Sequence, residues 1–231
     1  MSFGQNLQFL RRMRNDMTQE VLAEKIGVSR QTISKWELDA AYPEMDKLVE
    51  LCNLFFCTMN ELVRGDMNIS TEAYSDVRME EVDAFRYISY IAVSTEPESD
   101  AIQHVKQLAE KYQISEPEII GWDFPFLSQE QINVYNMHGY TAALILPDEV
   151  SVDDKEVIIR SQEKQKYMVI TIRFSLTTEG PFVSIPNAYK VLMTYMHTNQ
   201  INPKKENIIP CFEKEYTMDG EDYMDIYIAA E

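Results

Sequence analysis

The sequence predicts a multi-domain protein in which an all-α N-terminal domain precedes an α+β domain. Residues 17–43 have the pattern of two short helices joined by a tight turn. From Ala84 onward, Tyr- and Ile-rich stretches alternate in the manner of strands, and the order strand, helix, strand, strand occurs twice. A length of 231 residues with 45% hydrophobic content suits two domains with separate cores. We therefore expect domains at residues 1–66 and 84–231, joined by a polar, acidic linker at residues 67–83.

The two N-terminal helices have clear start and stop signals. Thr18 and Ser29 each precede a helical pattern, and their hydroxyls can accept backbone N–H groups that the first turn of a helix leaves unpaired. Gly27 lies between the two patterns and can adopt the left-handed conformation that ends a helix. The apolar positions that should form the buried side of this pair are Leu22, Ile26, Ile33 and Trp36.

The outward face of the second helix is polar and consists of Arg30, Gln31, Ser34 and Lys35. Arg can donate two hydrogen bonds to guanine, and Gln can pair with adenine, in the major groove of DNA. A short helix with such a face, preceded by another helix and a tight turn, is typical of a helix-turn-helix recognition helix. The alternative is that these side chains only solvate a surface helix.

Residues 3–65 resemble the lambda-repressor-like, XRE-type DNA-binding domain along their whole length. The matching segments are LRRMR, TQEVLAEKIGVS, RQTISKWE, YPEMDKLVELCNLF and MNELVRGD. The resemblance implies five helices, in which Gln19 contacts a phosphate and braces the recognition helix, while Arg30, Gln31 and Lys35 read bases. The DNA-binding residues that we predict are Gln19, Ser29, Arg30, Gln31, Ser34 and Lys35.

The charge of the chain is unevenly distributed. The net charge is −17, but residues 1–66 hold eight Lys and Arg against ten Asp and Glu, a net charge of −2. The remaining residues carry −15, so most of the excess acid lies outside the N-terminal domain. We expect a basic side of this domain to be formed by Arg11, Arg12, Arg14, Arg30 and Lys35. Because the overall electrostatic attraction to DNA is weak, non-specific affinity should be modest and steeply sensitive to salt.

The C-terminal half is predicted to contain two strand–helix–strand–strand units of about 65 to 75 residues. The two units show no obvious residue identity, so the pseudo-twofold duplication depends on the order of elements alone. The predicted strands cover residues 85–93, 118–125, 132–147, 156–174, 208–217 and 223–230, and the predicted helices cover residues 99–112 and 185–200.

This half is similar to the GyrI-like (AraC-type) effector-binding domain, which also occurs in multidrug-responsive regulators. The similarity is carried by IGWDFP from Ile120, by GPF and AYKVLM after Gly180, and by FEKEY and DIYIA near the C-terminus. It implies two helices on one antiparallel sheet, and a cleft on the pseudo-twofold axis where aromatic rings surround a glutamate and bind lipophilic cations. One extra residue in FEKEY leaves open whether Glu213 or Glu215 is that glutamate.

The predicted effector site therefore combines aromatic rings with an acid. Each ring can attract a cation, but each can equally be a core residue. Glu213 and Glu215 alternate with their neighbours on a strand, so both face the cleft or neither does. If both do, their repulsion should raise one pKa. The predicted ligand-binding residues are Trp122, Tyr140, Tyr167, Phe182, Tyr189, Tyr195, Glu213 and Glu215.

The sequence gives no sign of a metal site, a cofactor or a membrane segment. Cys52, Cys57 and Cys211 have neither a disulfide framework nor a zinc spacing, so we interpret the first two as core residues, with thiol sensing as an alternative. The three histidines are scattered. Because no apolar run reaches the roughly 20 residues of a membrane helix and no signal peptide is apparent, a cytoplasmic location is expected.

These observations favour a one-component transcription regulator without enzymatic activity. We expect a homodimer that binds a palindromic double-stranded operator and a small, lipophilic or cationic effector molecule. Two alternatives concern the C-terminal domain. It can be a small-molecule hydrolase in which Glu213 and Glu215 position a water, or it can bind another protein, as gyrase-inhibitor relatives are thought to do.

Overall fold

The computed structural model describes residues 2–14, 17–55, 57–65, 73–154, 157–177 and 180–231. It confirms the predicted fold class, an all-α N-terminal region followed by an antiparallel sheet with helices. None of the described helices combines the length and apolar character needed to cross a bilayer. The N-terminal helices are α1 (Phe3–Met13), α2 (Gln19–Ile26), α3 (Arg30–Glu37), α4 (Met45–Phe55) and α5 (Met59–Arg64).

The predicted helix signals act as expected. The Thr18 hydroxyl accepts the backbone N–H of Val21, and the Ser29 hydroxyl accepts that of Thr32. Gly27 has a φ of 72° and ends α2 in the left-handed conformation. Because these caps depend on neighbours within a few residues, they can be predicted from local sequence. The buried apolar core of the five helices includes Leu7, Leu22, Ile33, Trp36, Leu51, Phe55 and Leu62.

A buried ion pair joins α1 to the C-terminal end of α3. Arg11 donates to Glu37 from Nε at 2.6 Å and from a terminal guanidinium nitrogen at 3.1 Å, and it also donates to the carbonyl of Met17. Gln19 donates to the same carboxylate at 2.9 Å. The expectation that Arg11 lies on a basic surface is therefore wrong. Arg11 follows Leu7 by one helical turn and shares its buried face.

Cys52 and Cys57 lie at the edge of the helical core, as predicted for small core side chains. Burial and the neighbouring Cys52 raise the pKa of Cys57 to about 12. A thiol that stays protonated is a poor nucleophile, so this environment does not favour thiol sensing.

The remaining elements confirm most of the predicted strands and both long helices. They are β1 (Arg78–Val82), β2 (Phe85–Ser94), α6 (Pro97–Lys111), β3 (Glu118–Asp123), α7 (Gln129–Asn133), β4 (His138–Leu146), β5 (Ile159–Gln162), β6 (Gln165–Arg173), α8 (Pro181–Thr198), β7 (Cys211–Met218) and β8 (Glu221–Ala229).

Two predicted strands need correction. The strand predicted at residues 132–147 begins only at His138, because Ser128 and Gln131 form a capping box that starts the short helix α7. The strand predicted at residues 156–174 is divided into β5 and β6 by residues 163–164, which belong to neither strand. In the predicted linker, residues 67–72 lie outside the described residues, and Arg78–Val82 pairs with β6 as strand β1.

The strand order is symmetric about the contact between β3 and β7. The eight strands are arranged β1-β6-β8-β7-β3-β4-β2-β5. Reading outward from the centre, β3, β4 and β2 on one side correspond to β7, β8 and β6 on the other. The first, third and fourth elements of each strand–helix–strand–strand unit thus occupy equivalent places, which is the topology that the predicted duplication requires.

The sheet has two different faces. On one face, α6 packs against β2 and β4 through Ala101, Val105 and Ala109. On the other face, Tyr167, Phe212 and Tyr227 form an aromatic cluster in which the rings of Phe212 and Tyr227 stack with centroids 4.3 Å apart. Because neighbouring residues of a strand point to opposite faces, this division decides which predicted site residues can meet.

By contact density, the chain divides into two compact units. One comprises Met1–Val77, Ile170–Pro203 and Glu231, and the other comprises Arg78–Val169 and Lys204–Ala230. Within the first unit, Lys190 of α8 lies 3.7 Å from Glu61 of α5. The domain boundaries at residues 66 and 84 stay predictions.

We expect Glu37→Ala to destabilise the N-terminal helices by about 3 to 5 kcal/mol, because it leaves the Arg11 guanidinium buried without its charge partner. Urea unfolding followed by Trp36 fluorescence, in a Trp122→Phe background, measures the change. The control is Glu20→Ala, since Glu20 pairs with Arg30 at the exposed surface, and the loss of this pair should have a much smaller effect on stability. Equal effects of the two substitutions would contradict the assigned role of the buried pair.

Candidate functional site

The central strands place Gly121 directly opposite Glu213. This pair joins β3 to β7 at the centre of the symmetric strand order. On the outer side of β3, Asp123 pairs with Tyr140 of β4, and on the outer side of β7, Glu215 pairs with Met224 of β8. Gly121 and Glu213 therefore occupy equivalent positions in the two halves, and so do Tyr140 and Met224.

The Tyr140 side chain extends across β3 to β7. Its hydroxyl donates to Oε2 of Glu213 at 3.2 Å, although the two residues lie on strands separated by β3. This path exists because Gly121 has no side chain. A Cβ at position 121 would lie 2.5 Å from Cζ of Tyr140 and would overlap the hydroxyl. Tyr140 is 7% exposed, so the ring is packed and its hydroxyl needs the acceptor that Glu213 supplies.

A cavity of about 180 Å³ opens beside this pair, between α6 and the central strands. Three carboxylates and one amine contribute to its wall, which gives the lining an excess of two negative charges. The apolar part of the wall comes from α6, β3, β8 and the residue before β3. The lining residues are Glu98, Ile102, Lys106, Pro117, Ile119, Ile120, Gly121, Tyr140, Glu213, Glu215 and Met224.

The acids of the cavity influence one another and the tyrosine. Burial raises the pKa of Glu98, and repulsion from Glu215 and Asp123 acts in the same direction, although the Glu98 side chain keeps substantial contact with solvent. Burial likewise raises the pKa of Tyr140, and Glu213, Glu98 and Glu215 add to this effect. The hydroxyl is therefore protonated at neutral pH and acts as a donor, while the carboxylates offer a site for positive charge.

Three of the predicted ligand-binding residues line the cavity together: Tyr140, Glu213 and Glu215. Both glutamates face it, which resolves the alternative that the sequence left open. Trp122 follows Gly121 on β3 and packs against the aromatic cluster of the other face. Tyr167 is fully buried in that cluster, and its hydroxyl donates to the Ile209 carbonyl at 3.0 Å. Neither ring is among the described residues that line the cavity.

The other three predicted rings, Phe182, Tyr189 and Tyr195, all lie on α8, which belongs to the first compact unit. Phe182 is 93% exposed, whereas Tyr189 and Tyr195 are half-buried. Their part in ligand binding stays a prediction.

Sequence reasoning missed two charged residues of the cavity, Glu98 and Lys106. With Ile102 they are spaced four residues apart along α6, so they form one stripe of the helix. That spacing is visible in the sequence. The spacing alone does not show that this stripe faces the cavity, because the side of α6 that faces β3 and β7 is set by packing between distant parts of the chain.

The second candidate site is the outward face of α3. Arg30, Gln31 and Lys35 are exposed, and Ser34 is half-buried beside them. Arg30 forms an exposed ion pair with Glu20 of α2, with Nε 2.7 Å from the carboxylate. This pair holds the guanidinium near the first turn of α3, the end of a recognition helix that reads bases.

The remaining predicted DNA-binding residues, Ser29 and Gln19, support α3 at its two ends. The Ser29 hydroxyl caps α3 and lies 2.9 Å from the hydroxyl of Thr32. Gln19, at the start of α2, donates to Glu37 at the end of α3. The amide therefore braces α3, as the predicted role requires, and its contact with a phosphate stays a prediction.

Comparisons with known proteins agree with the helical N-terminal region. Residues 9–62 match the family HTH_3, described as helix-turn-helix, which confirms that prediction. Over 66 residues the chain is 46% identical to the HTH-type transcriptional activator BcrR of Enterococcus faecalis. This alignment covers 29% of the chain and 32% of BcrR, so the chain spans about a third of the length of this relative.

Two solved structures are similar at lower identity. EcmrR in a complex with DNA has a TM-score of 0.48 and 14% identity, covering 96% of this chain and 80% of that chain. SAV2435 bound to tetraphenylphosphonium has a TM-score of 0.42 and 14% identity, covering 68% of this chain and 94% of that chain.

We expect Glu98→Gln to raise the thermal stability of the chain near neutral pH and to have no effect in acid. The folded-state pKa of Glu98 lies above its ordinary value of 4.5. At a pH below this ordinary value, the carboxyl is protonated in both the folded and the unfolded state, so it contributes nothing to the pH dependence of stability. As pH rises through the interval up to the folded pKa, the unfolded state releases its proton first, so stability is lost.

Melting temperatures of the wild type and Glu98→Gln, measured from about pH 4 to pH 8, test this expectation. The matched control is Glu163→Gln, which removes an exposed acid between β5 and β6. A stability difference that is constant with pH would contradict the raised pKa of Glu98.

Proposed function

We propose that the chain is a one-component transcription regulator that binds operator DNA through α3 and senses a small cation in the cavity beside Tyr140 and Glu213. The observation that carries the proposal is a cavity with three carboxylates and one amine, in a chain whose N-terminal residues match a helix-turn-helix family. We infer further that the protein acts as a homodimer on a palindromic site, since paired helix-turn-helix domains read half-sites about one helical turn apart.

The geometry of α3 supports reading of the major groove. Its buried side is anchored by Ile33 and Trp36, which are nearly inaccessible to solvent. Its outward side presents Arg30, Gln31 and Lys35, which provide hydrogen-bond donors and an amide that can recognise base edges. The hydrogen bond from Gln19 to Glu37 fixes the C-terminal end of α3, so the helix that carries these side chains is held rigidly.

The cavity supports recognition of a positively charged ligand. Like charges around a partly dry pocket are unfavourable until a cation neutralises them. Glu213 is half-buried and already accepts the Tyr140 hydroxyl, so it offers a fixed, oriented carboxylate. A neutral ligand of the same shape would leave the repulsion between the acids in place. We therefore propose selection by charge first and by shape second.

Substitutions on α3 should weaken DNA binding. We expect Gln31→Ala and Lys35→Ala each to reduce affinity by about 1 to 3 kcal/mol if the side chain reads a base. The DNA is a duplex selected by the protein from a random library, and affinity is measured by fluorescence anisotropy. Arg64→Ala, which removes an exposed cation from α5, is the control. Equal small losses for all three variants would mean that α3 does not read the sequence.

Cations should stabilise the protein more than neutral molecules of matched shape. A ligand at 100 times its dissociation constant adds about 2.7 kcal/mol, or roughly 5 to 10 °C in melting temperature. The panel pairs ammonium cations of increasing size with neutral analogues of matched shape, such as n-pentylamine with n-pentanol. We expect Glu213→Gln to abolish the shift and Glu163→Gln to retain it. The absence of any cation-selective shift would exclude cation sensing by this cavity.

A further inference from the structure

We infer that the cavity selects linear primary diamines, with one ammonium group at Glu213 and the other at the pair Glu98 and Glu215. This inference rests on the proposed sensing of a cation by this cavity and specifies the chemical class of that cation.

The dimensions of the cavity argue against a bulky ligand. Its volume of about 180 Å³ is below the roughly 300 to 1,000 Å³ of sites that enclose drug-sized molecules. Of the described residues that line it, only Tyr140 is aromatic. Recognition of quaternary ammonium groups relies on a cage of several rings. Trp122 and Tyr167, which could have supplied such rings, lie on the other face of the sheet. A slender, unbranched cation therefore fits the cavity better than a branched one.

The type of polar group in the wall indicates a ligand with N–H donors. Carboxylates form their strongest contacts with groups that combine a positive charge with a hydrogen-bond donor. A primary ammonium group has three such donors, whereas quaternary ammonium and phosphonium groups have none. Glu213 already accepts the Tyr140 hydroxyl at one oxygen, which orients its carboxylate relative to the cavity.

The acids lie at two depths. Glu213 is half-buried at the central contact of β3 with β7, and Glu215 is exposed two residues further along the same face of β7. Residues two apart on a strand are separated by about 7 Å. Glu98 lines the same cavity as Glu215. Burial, together with repulsion from Glu215, raises the pKa of Glu98. One carboxylate thus lies inside and two lie near the mouth, at a spacing that an extended chain of four or five methylenes can span.

The charge and the apolar lining agree with this placement. The wall carries three acids and Lys106, an excess of two negative charges. A dication neutralises both of these charges, whereas a monocation neutralises only one. Met224 pairs with Glu215 across the strands, and Ile102 lies one turn from Glu98 on α6. These apolar side chains flank the route between the inner and outer acids, where the methylenes of a diamine would lie.

The test compares 1,5-diaminopentane with n-pentylamine and tetramethylammonium by calorimetric titration of the full chain at constant ionic strength. We expect the diamine to bind about fivefold or more tightly than the monoamine, because a second partly exposed ion pair forms. In the double variant Glu98→Gln with Glu215→Gln, the ratio should fall to about one while the affinity for n-pentylamine changes little.

The matched control is the double variant Glu149→Gln with Glu163→Gln, which makes the same change of charge at exposed positions outside the cavity lining. It should keep the preference for the diamine, since that preference does not come from the overall charge. Equal affinities for the diamine and the monoamine, or tighter binding of tetramethylammonium, would overturn the inference and leave cation sensing intact. Failure of every cation to bind would overturn the proposed function itself.

Discussion

The missing side chain at Gly121 is the constraint on which the candidate cavity depends. Because glycine has no side chain at this position, the Tyr140 ring can lie across β3 and its hydroxyl can reach Glu213 on the next strand. A buried hydroxyl without a partner and a half-buried carboxylate without a donor each cost stability. The contact between them removes both costs at once. It also fixes the direction of the one carboxylate that lies at the centre of the sheet.

The two halves of the domain have the same topology, but the cavity depends on equivalent positions at which their side chains differ. Equivalent positions hold Gly121 and Glu213 at the central contact, and Tyr140 and Met224 one strand further out. With glutamates at both central positions, two carboxylates would face each other and repel. With glycines at both, the cavity would have no central acid. One half therefore provides the ring and the space, and the other provides the charge and a flexible apolar wall.

The parts of the structure that sequence predicted well depend on short-range rules. Thr18, Gly27 and Ser29 act on backbone groups within a few residues, and the shared face of Glu213 and Glu215 follows from the period of a strand. The placement of the predicted aromatic rings depends on relations between distant segments. Whether Tyr167 faces the cavity depends on the register of β6 in the sheet, which no local pattern contains. Arg11 is a local exception, because its spacing of one helical turn from Leu7 places it on the buried face of α1 despite its charge.

Under the proposed function, the acids of the cavity connect stability, cation binding and regulation through one free energy. Burial of Glu98 and its repulsion from Glu215 and Asp123 are unfavourable in the free protein, as the raised pKa of Glu98 indicates. Under the proposal, a bound cation relieves the repulsion, and this part of the energy adds to that of its own contacts. The effect on DNA binding cannot exceed the difference in the affinity of that cation for the two states of the protein. A cation gains from relief of repulsion only in a state of the protein that keeps the acids close together. The affinities of the cation for the two states can therefore differ more at this site than at a site that carries no net charge.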